Sequence, residues 1–288
     1  MSAHAIDALI AAEELPQDYR EVVEQYWRPL ADDLAQRAEA KRPLVVGVNG
    51  AQGSGKSTSC RFLEVLLAER GLRTVTLSLD DLYLTRAERQ ALAREVHPLF
   101  ATRGVPGTHD VALGAELLDA MAAGGAVALP VFDKATDDRA AGTRPVDGPV
   151  QMVLFEGWCV GAAPQLEEAL AEPINRLERE EDLDGRWRYE VNRRLATDYA
   201  ALFRRLDLLV MLRVEGFEAV RANRLLQEQK LARRKPGEAG VMKATALERF
   251  LMHYERLTRW MLAEMPARAD MLFPIGPDQR PTAGAQPL

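Results

Sequence analysis

The residues between Gly50 and Ser57 carry the clearest chemical signal in the sequence, because Gly-Ala-Gln-Gly-Ser-Gly-Lys-Ser is a complete Walker A motif. A phosphate-binding loop of this kind needs a strand before it and a helix after it. The apolar run Pro43–Val48 predicts a buried strand, and apolar residues at helical spacing predict a helix over about 55–70. The glycines let backbone N–H groups face phosphate oxygens, and the helix N-terminus adds its unpaired donors. The motif therefore predicts binding of ATP or GTP, without distinguishing a kinase from an ATPase or a GTPase.

Within this motif, Lys56 is expected to reach the β- and γ-phosphates and Ser57 to ligate magnesium. A further metal ligand is expected at Glu156, which ends an apolar run as a Walker B acid does. A glutamate at the end of a strand is weak evidence alone and gains weight from the Walker A motif. The predicted magnesium ligands are therefore Ser57 and Glu156. The predicted nucleotide-binding residues are Gly50, Ala51, Gln52, Gly53, Ser54, Gly55, Lys56, Ser57, Thr58 and, from a later helix, Arg224.

Two adjacent carboxylates, Asp80 and Asp81, follow the predicted strand Arg73–Leu79. In a doubly wound sheet, ligands bind in the crevice at the carboxyl ends of the strands. A carboxylate at that place can accept or orient the proton of a substrate hydroxyl. Adjacent residues of an extended segment point to opposite faces, so at most one of the two should face an acceptor. The alternative is that these residues cap the next helix.

A polar loop is predicted over Asp133–Gly148, after a strand at Ala126–Phe132. The start of this loop places an acid and two cations, Asp133, Lys134 and Arg139, close to an aromatic residue. Such a loop could hold an anionic acceptor. A solvated hairpin turn is an equal alternative on spacing alone.

Predicted strands alternate with predicted helices along most of the chain. The strands are apolar throughout rather than alternating, which is typical of a parallel sheet covered on both faces. They lie at 43–48, 73–79, 126–132, 150–155, 206–214 and 271–275. The helices lie at 19–38, 55–70, 110–121, 187–203, 217–230 and from about 245 onwards. We therefore predict an α/β fold of the P-loop NTPase type, a three-layer α/β/α arrangement with a mainly parallel sheet and a helical lid.

The composition is that of an ordinary globular protein, with 47% hydrophobic and 28% charged residues. The formal net charge of −6 argues against nucleic-acid binding by general electrostatics. No apolar stretch reaches membrane-spanning length, and no signal-peptide pattern stands at the N-terminus. The two cysteines, Cys60 and Cys159, are too few for a disulfide framework. We expect a cytoplasmic protein, a monomer or weak homo-oligomer, with no nucleic-acid or membrane partner.

The motifs together resemble those of P-loop kinases in the phosphoribulokinase/uridine kinase group. Within that group the sequence is most similar to the glycerate 3-kinase family of plants, fungi and bacteria. The resemblance rests on the Walker A motif, on Asp80-Asp81-Leu82-Tyr83, on Pro130-Val131-Phe132-Asp133 and on Leu154-Phe155-Glu156-Gly157. The stretch from Arg103 to Asp110, Arg-Gly-Val-Pro-Gly-Thr-His-Asp, is more specific than a general kinase motif. The resembling segments span roughly 43–224.

The resemblance implies transfer of the γ-phosphoryl group of ATP to a hydroxyl of D-glycerate, giving 3-phosphoglycerate, with Mg²⁺ as the metal. Asp80 matches the family's proposed catalytic base, and Lys56 and Asp81 complete the expected catalytic set. Because glycerate is a small anion, its site needs a cation for the carboxylate. The candidate substrate-binding residues are Tyr83, Arg103, His109, Asp133, Lys134, Arg139 and Arg188.

We expect an N-terminal helical segment at 1–40, a kinase domain at 41–276 and a flexible tail at 277–288. The basic, Gly- and Pro-containing segment at about 228–245 is the predicted lid, from which Arg233 or Arg234 could reach the phosphates. Two other functions stay open: a kinase of the same group acting on a nucleoside or pantothenate-like acceptor, and an ATP-binding regulatory ATPase without an acceptor. The paired carboxylates Asp80 and Asp81 argue against the second, because a pure switch needs no base facing an acceptor.

Overall fold

The computed structural model describes residues 2–41, 43–234, 244–284 and 286–287, and apolar runs bounded by turn residues form most of its strands. The strands are β1 (Leu44–Gly50), β2 (Thr74–Ser78), β3 (Val127–Asp133), β4 (Asp138–Val146), β5 (Met152–Gly157), β6 (Leu208–Val214), β7 (Met271–Ile275) and β8 (Gln286–Pro287). Strands β2, β5, β1, β6 and β7 lie side by side in that order and are all parallel, and β8 pairs antiparallel with β7. The central strands β1 and β5 are buried over their whole length. The predicted parallel sheet is confirmed.

Strands β3 and β4 form a separate antiparallel hairpin, where the sequence predicted a further sheet strand and a polar loop. The prediction of a loop over 133–148 is therefore wrong for Asp138–Val146. Pro130 has no N–H group to give to a central ladder, and the register of the hairpin shifts between Pro130 and Phe132. Only one side of β3 is buried, through Leu129 and Phe132, which fits a hairpin that lies over the body of the protein.

The helices cover the sheet. They are α1 (Ser2–Ala12), α2 (Tyr19–Val22), α3 (Arg28–Ala40), α4 (Lys56–Glu69), α5 (Arg86–Glu95), α6 (Val111–Ala122), α7 (Arg176–Glu181), α8 (Arg186–Arg194), α9 (Ala200–Phe203), α10 (Phe217–Arg234) and α11 (Ala244–Glu264). A π-helical turn, Val23–Trp27, joins α2 to α3, and a second, Leu195–Tyr199, joins α8 to α9. No helix among the described residues is long and apolar enough to cross a membrane.

Apolar side chains of the central strands pack into a separate core on each face of the sheet. On one face, Leu154 of β5 joins α1, α3, α4 and the start of α10. On the other face, Val153 and Phe155 join α6, the α8–α9 region and the middle of α11. Neighbouring residues of one strand thus serve opposite cores. This three-layer α/β/α arrangement confirms the predicted fold class.

The predicted segments at the two ends of the chain contact each other. Helices α1 to α3 share a core with the sheet, and Asp18 before α2 pairs with Arg280 after β7, with an Arg280 Nη2–Asp18 Oδ1 distance of 2.7 Å. The backbone N–H of Thr282 also donates to Pro274 O. The domain boundaries at 40 and 276 and the flexibility of the tail stay predictions. The predicted lid also stays a prediction, because residues 235–243 lie outside the described part of the chain.

Gly157, the last residue of β5, allows the turn after β2 to pack closely against β5. A Cβ atom at this glycine would lie 2.6 Å from Leu79 Cβ and 2.9 Å from Val160 Cγ2, so the close approach requires a residue without a side chain. Leu79 begins the 3-10 turn Leu79–Leu82 that carries Asp80 and Asp81. The glycine therefore sets the distance between Glu156 and these two carboxylates.

We predict that Gly157→Ala lowers the free energy of unfolding by about 1–3 kcal/mol, because the added methyl group must displace Leu79. The measurement is urea-induced unfolding followed by far-UV circular dichroism. Gly142→Ala is the matched control, since a Cβ atom at Gly142 meets no described atom within 4 Å. Equal stability of the two variants would contradict the close approach.

Candidate active site

The phosphate-binding loop has the geometry that its glycines predict. Gly53 and Gly55 have φ angles of 77° and 87°, in the region that favours glycine. A Cβ atom at Gly50 would lie 2.3 Å from Ser54 Oγ, and one at Gly53 would lie 2.6 Å from Asn223 Cβ. The loop is therefore wound so tightly against itself and against α10 that its backbone N–H groups can approach a phosphate chain.

Ser57 and Glu156 meet beneath this loop. Ser57 Oγ donates to Glu156 Oε1 over 3.0 Å, and Lys56 Nζ lies 3.9 Å from Glu156 Oε2. Glu156 is buried, and its Oε2 atom finds no hydrogen-bond partner among the described residues. A buried carboxylate oxygen without a donor is costly unless a cation completes its contacts. Oxygen ligands from a hydroxyl and a carboxylate are those that Mg²⁺ prefers, so these residues fit a magnesium site.

Asp80 lies at the carboxyl end of β2 with a donor on each oxygen. Tyr83 Oη donates to Oδ1 over 2.7 Å, and Lys134 Nζ donates to Oδ2 over 2.6 Å. Burial opposes ionisation, but Lys134 and Lys56, with these two hydrogen bonds, outweigh it and lower the pKa of the Asp80 carboxyl below its usual value. Asp80 is thus a carboxylate beside the phosphate-binding loop.

Asp81 contacts the backbone of the β3–β4 hairpin. Its Oδ1 atom accepts the backbone N–H of Phe132 over 3.1 Å. Burial raises the pKa of Asp81, the bond from Phe132 lowers it, and the charge of Asp80 raises it, so that the net direction is upward. The two neighbouring carboxylates have different surroundings. They lie in a 3-10 turn and not in an extended segment, so the expectation that adjacent side chains point to opposite faces does not apply to them.

The segment from Arg103 to Asp110 is fixed from several sides. Gly104 has a φ of 122°, and a Cβ atom there would lie 1.9 Å from Tyr254 Oη. Trp158 Nε1 donates to Gly104 O over 2.8 Å, and Tyr254 Oη donates to Arg103 O over 2.7 Å. These contacts explain why the stretch contains a glycine at this place.

His109 is buried under Tyr83, with ring centroids 4.7 Å apart. Its Nδ1 atom lies 2.6 Å from Tyr199 Oη, and its Nε2 atom finds no partner among the described residues. Burial lowers the pKa of His109 to about 3, against a smaller opposing effect of Asp80. At neutral pH the side chain is therefore an uncharged wall of the site rather than a cation.

Several predicted substrate residues make structural contacts. Arg139 donates through Nε to Tyr83 O over 2.9 Å and through Nη2 to Asp110 Oδ2 over 3.0 Å. Asp133 closes its own turn by accepting from Ala135 N over 2.9 Å. Arg188 donates to Asp182, Leu170 and Ala171. Of the predicted substrate residues, Tyr83 and Lys134 contact Asp80, and His109 and Arg139 contact Tyr83. Arg103 pairs with Asp137, and the buried Arg188 has its partners elsewhere.

Two predicted nucleotide residues have side-chain partners of their own. Thr58 Oγ1 donates to Glu13 Oε2 over 3.0 Å. Arg224 pairs with Glu228 at 2.5 Å, and its guanidinium lies 6.0 Å from the centroid of the Phe250 ring. Its Nε atom finds no partner among the described residues. Arg224 follows Asn223, the residue that contacts Gly53.

Sequence reasoning missed residues whose importance depends on contacts between distant segments. Asn223 contacts the phosphate-binding loop at Gly53, and Gln279 donates to Asn223 over 3.4 Å. Arg89 is almost fully buried and pairs with Asp137 at 2.9 Å. A buried arginine in an otherwise polar helix does not alter the hydrophobic periodicity, so no pattern in the sequence indicates that Arg89 is buried.

Comparison with known proteins finds relatives among kinases, although no protein-family model matches the chain. An uncharacterized kinase of Schizosaccharomyces pombe is 36% identical over 204 residues, which are 67% of this chain and 73% of that protein. The chloroplastic D-glycerate 3-kinase of Arabidopsis thaliana is 32% identical over 244 residues, 79% of this chain but only 50% of the plant protein. The solved structure of D-glycerate 3-kinase from Cryptococcus neoformans has a TM-score of 0.75 at 25% identity and covers 92% of this chain and 98% of that one.

The buried, neutral His109 predicts a dependence of stability on pH. Its pKa is about 3 in the folded state and about 6.5 in the unfolded state, so the unfolded state binds more protons between these values. Stability is therefore lost as the pH falls through 6.5. We expect wild type to lose about 1–2 kcal/mol more than His109→Gln between pH 7 and pH 5.

The measurement is urea-induced unfolding at both pH values, and the exposed His4→Gln serves as the control. Equal pH dependence in wild type and His109→Gln would show that the pKa of His109 is the same in the folded and unfolded protein.

Proposed function

Because this chain belongs to the glycerate 3-kinase family of P-loop kinases, we propose that it transfers the γ-phosphoryl group of ATP to a hydroxyl of D-glycerate, giving 3-phosphoglycerate. The observation that carries the proposal is the ionised Asp80, which lies at a strand end beside the phosphate-binding loop and within reach of Lys134. A carboxylate at this place has no use in a nucleotide switch without an acceptor. It does have a use in orienting a hydroxyl group for transfer.

We propose that the backbone of residues 50–58 and Lys56 bind the phosphates and that Ser57 and Glu156 bind Mg²⁺. When bound, Mg²⁺ neutralises charge on the phosphate oxygens. Lys56 would approach the same oxygens from the first turn of α4. The helix N-terminus adds its unpaired N–H groups. Arg224 is the proposed further cation, because α10 touches the loop at Gly53 and brings Arg224 next to that contact.

Asp80 would accept the hydrogen bond of the acceptor hydroxyl and later its proton. Phosphoryl transfer has a loose transition state, so orientation of the hydroxyl matters more than high basicity of the carboxylate. A carboxylate whose pKa is lowered is a weak base but is ionised at neutral pH. For the hydroxyl to reach Asp80 Oδ2, Lys134 must give up its bond. Lys134 is 61% exposed, and an exposed ion pair of this kind contributes little net stability.

The carboxylate of D-glycerate requires a cation near Asp80, and the contacts in the site narrow the choice. Arg139 is occupied by Tyr83 O and Asp110, and His109 is uncharged. Arg103 and Lys134 remain, because each pairs with a single side-chain carboxylate, Asp137 or Asp80, that an acceptor could replace. We propose these two as the cations of the acceptor site, with Tyr83 and Phe132 as its aromatic walls.

We predict that the purified protein releases ADP when ATP, Mg²⁺ and D-glycerate are present, and that ADP release without an acceptor is at least tenfold slower. The measurement is a coupled assay for ADP, with the product identified by mass spectrometry. Uridine and pantothenate are the comparison acceptors. Transfer to either of these but not to D-glycerate would contradict the proposed substrate, and equal ADP release without any acceptor would favour a regulatory ATPase.

We predict that Asp80→Asn lowers kcat by a factor of about 10²–10⁴, because the amide keeps the shape but cannot take the hydroxyl proton. The affinity for ATP should persist, measured by isothermal titration calorimetry. Asp81→Asn is the matched control and should cost less, since the side-chain carbonyl can still accept from Phe132 N. A larger loss in Asp81→Asn would reverse the assignment, and no loss in either would make both carboxylates structural.

A further inference from the structure

The turn between β3 and β4, residues 134–137, places a carboxylate among three arginines. Arg89 pairs with Asp137 at 2.9 Å, Arg103 pairs with it as well, and Arg86 Nε lies 3.9 Å from it. Arg89 Nη2 also donates to Asp137 O over 2.7 Å. Burial opposes the charge of Asp137, but Arg89 and Arg103 outweigh it and lower the pKa of this carboxyl. The single negative charge of Asp137 thus cannot neutralise the three positive charges of the surrounding arginines.

Arg89 is the unusual member of this group. Only 1% of the side chain is exposed, and its Nε atom finds no hydrogen-bond partner among the described residues. The guanidinium groups of Arg89 and Arg103 also lie 5.8 Å and 5.5 Å from the centroid of the Phe132 ring. A planar guanidinium that is buried and incompletely paired suits a carboxylate or another planar oxyanion. Two guanidinium groups, those of Arg89 and Arg103, therefore lie over the Phe132 ring and could together bind an anion.

The same turn also contacts the Asp80 carboxylate. Lys134 at its start donates to Asp80 Oδ2, and Asp137 at its end accepts from Arg89 and Arg103. A hydroxy acid would make the same two kinds of contact, with its hydroxyl donating to Asp80 and its carboxylate accepting from the arginines. The turn therefore presents a donor and a carboxylate to the same groups that an acidic alcohol would contact.

We propose that Asp137 occupies the carboxylate position of the acceptor site before the acceptor binds, and that Arg89 and Arg103 bind the acceptor's carboxylate once Asp137 has moved away. This inference rests on the proposed function, because it concerns the acceptor of the same transfer. It adds Arg89 to the acceptor site and makes Asp137 a competitor of the substrate. Arg89 is a binding residue here, and Asp137 acts through it.

The arrangement explains how the site could select an anion. Removing Asp137 alone would leave Arg89 as a buried charge without a partner, which is strongly unfavourable. An acceptor with a carboxylate replaces the lost partner, whereas an uncharged alcohol of the same size does not. The site therefore selects an anionic acceptor in two ways. The carboxylate of such an acceptor contacts the arginines, and an uncharged acceptor would leave the buried charge of Arg89 unpaired.

The test compares the binding of D-glycerate to wild type and to Asp137→Asn by isothermal titration calorimetry, with the full chain and without nucleotide. Asparagine tolerates the φ of 55° at this position and keeps an acceptor for Arg89. It removes the competing charge. If the turn is bound most of the time in wild type, the dissociation constant should fall by a factor of about 3 to 10. Asp138→Asn is the matched control, since Asp138 accepts from the backbone N–H groups of Arg86 and Arg139.

Acetate separates the inference from the proposed function, because it has the carboxylate but no hydroxyl to phosphorylate. Tighter acetate binding by Asp137→Asn than by wild type and by Asp138→Asn supports the anion site even if D-glycerate is not phosphorylated. Unchanged or weaker binding of both D-glycerate and acetate by Asp137→Asn overturns the inference even if D-glycerate is phosphorylated. Arg89→Gln should weaken both ligands at least tenfold, and if this variant does not fold, Asp137→Asn still decides the question.

Discussion

The register of three neighbouring parallel strands is the constraint on which the site depends. Val48 of β1 pairs with Glu156 of β5, and Glu156 pairs with Ser78 of β2. The three strands therefore end at one edge of the sheet, and the phosphate-binding loop, the Glu156 carboxylate and the Asp80 turn start from that edge. A shift of one residue in β5 would turn Glu156 toward the opposite core. Because apolar residues of both faces are buried, such a shift would disrupt two cores at once.

Around this edge, the charges form pairs that leave selected atoms unsatisfied. Lys134 neutralises Asp80, and Arg139 joins Tyr83 O to Asp110. In contrast, Glu156 Oε2 and Arg89 Nε are buried without hydrogen-bond partners among the described residues. Buried polar atoms are normally satisfied, so such exceptions need an explanation. In the proposed transfer from ATP to an anionic alcohol, a bound cation would supply the missing contact at Glu156 and a bound carboxylate would supply it at Arg89.

Much of the fold was predictable, because the buried parallel strands and the Walker A motif have strong local patterns. The sequence placed β7 at Met271–Ile275, where the structure has it. It did not show that β3 leaves the main sheet, since an apolar run looks the same in a hairpin that covers the protein. The position of a candidate residue in the fold was predictable where a motif fixes it, as for Ser57 at the start of α4 and Asp80 after β2. It was not predictable at Arg89 or Arg188, because the partner of an arginine is set by tertiary structure and a single sequence does not reveal it.

The central claim is that Asp80 faces the acceptor hydroxyl beside the phosphate-binding loop. The most direct measurement is a crystal structure of the protein with a non-hydrolysable ATP analogue, Mg²⁺ and D-glycerate. We predict that a hydroxyl of D-glycerate lies within hydrogen-bond distance of the Asp80 carboxylate and in line with the γ-phosphate, with Lys134 displaced from Oδ2. If D-glycerate instead binds away from Asp80 while Lys134 keeps its present bond, the account of the acceptor site is wrong.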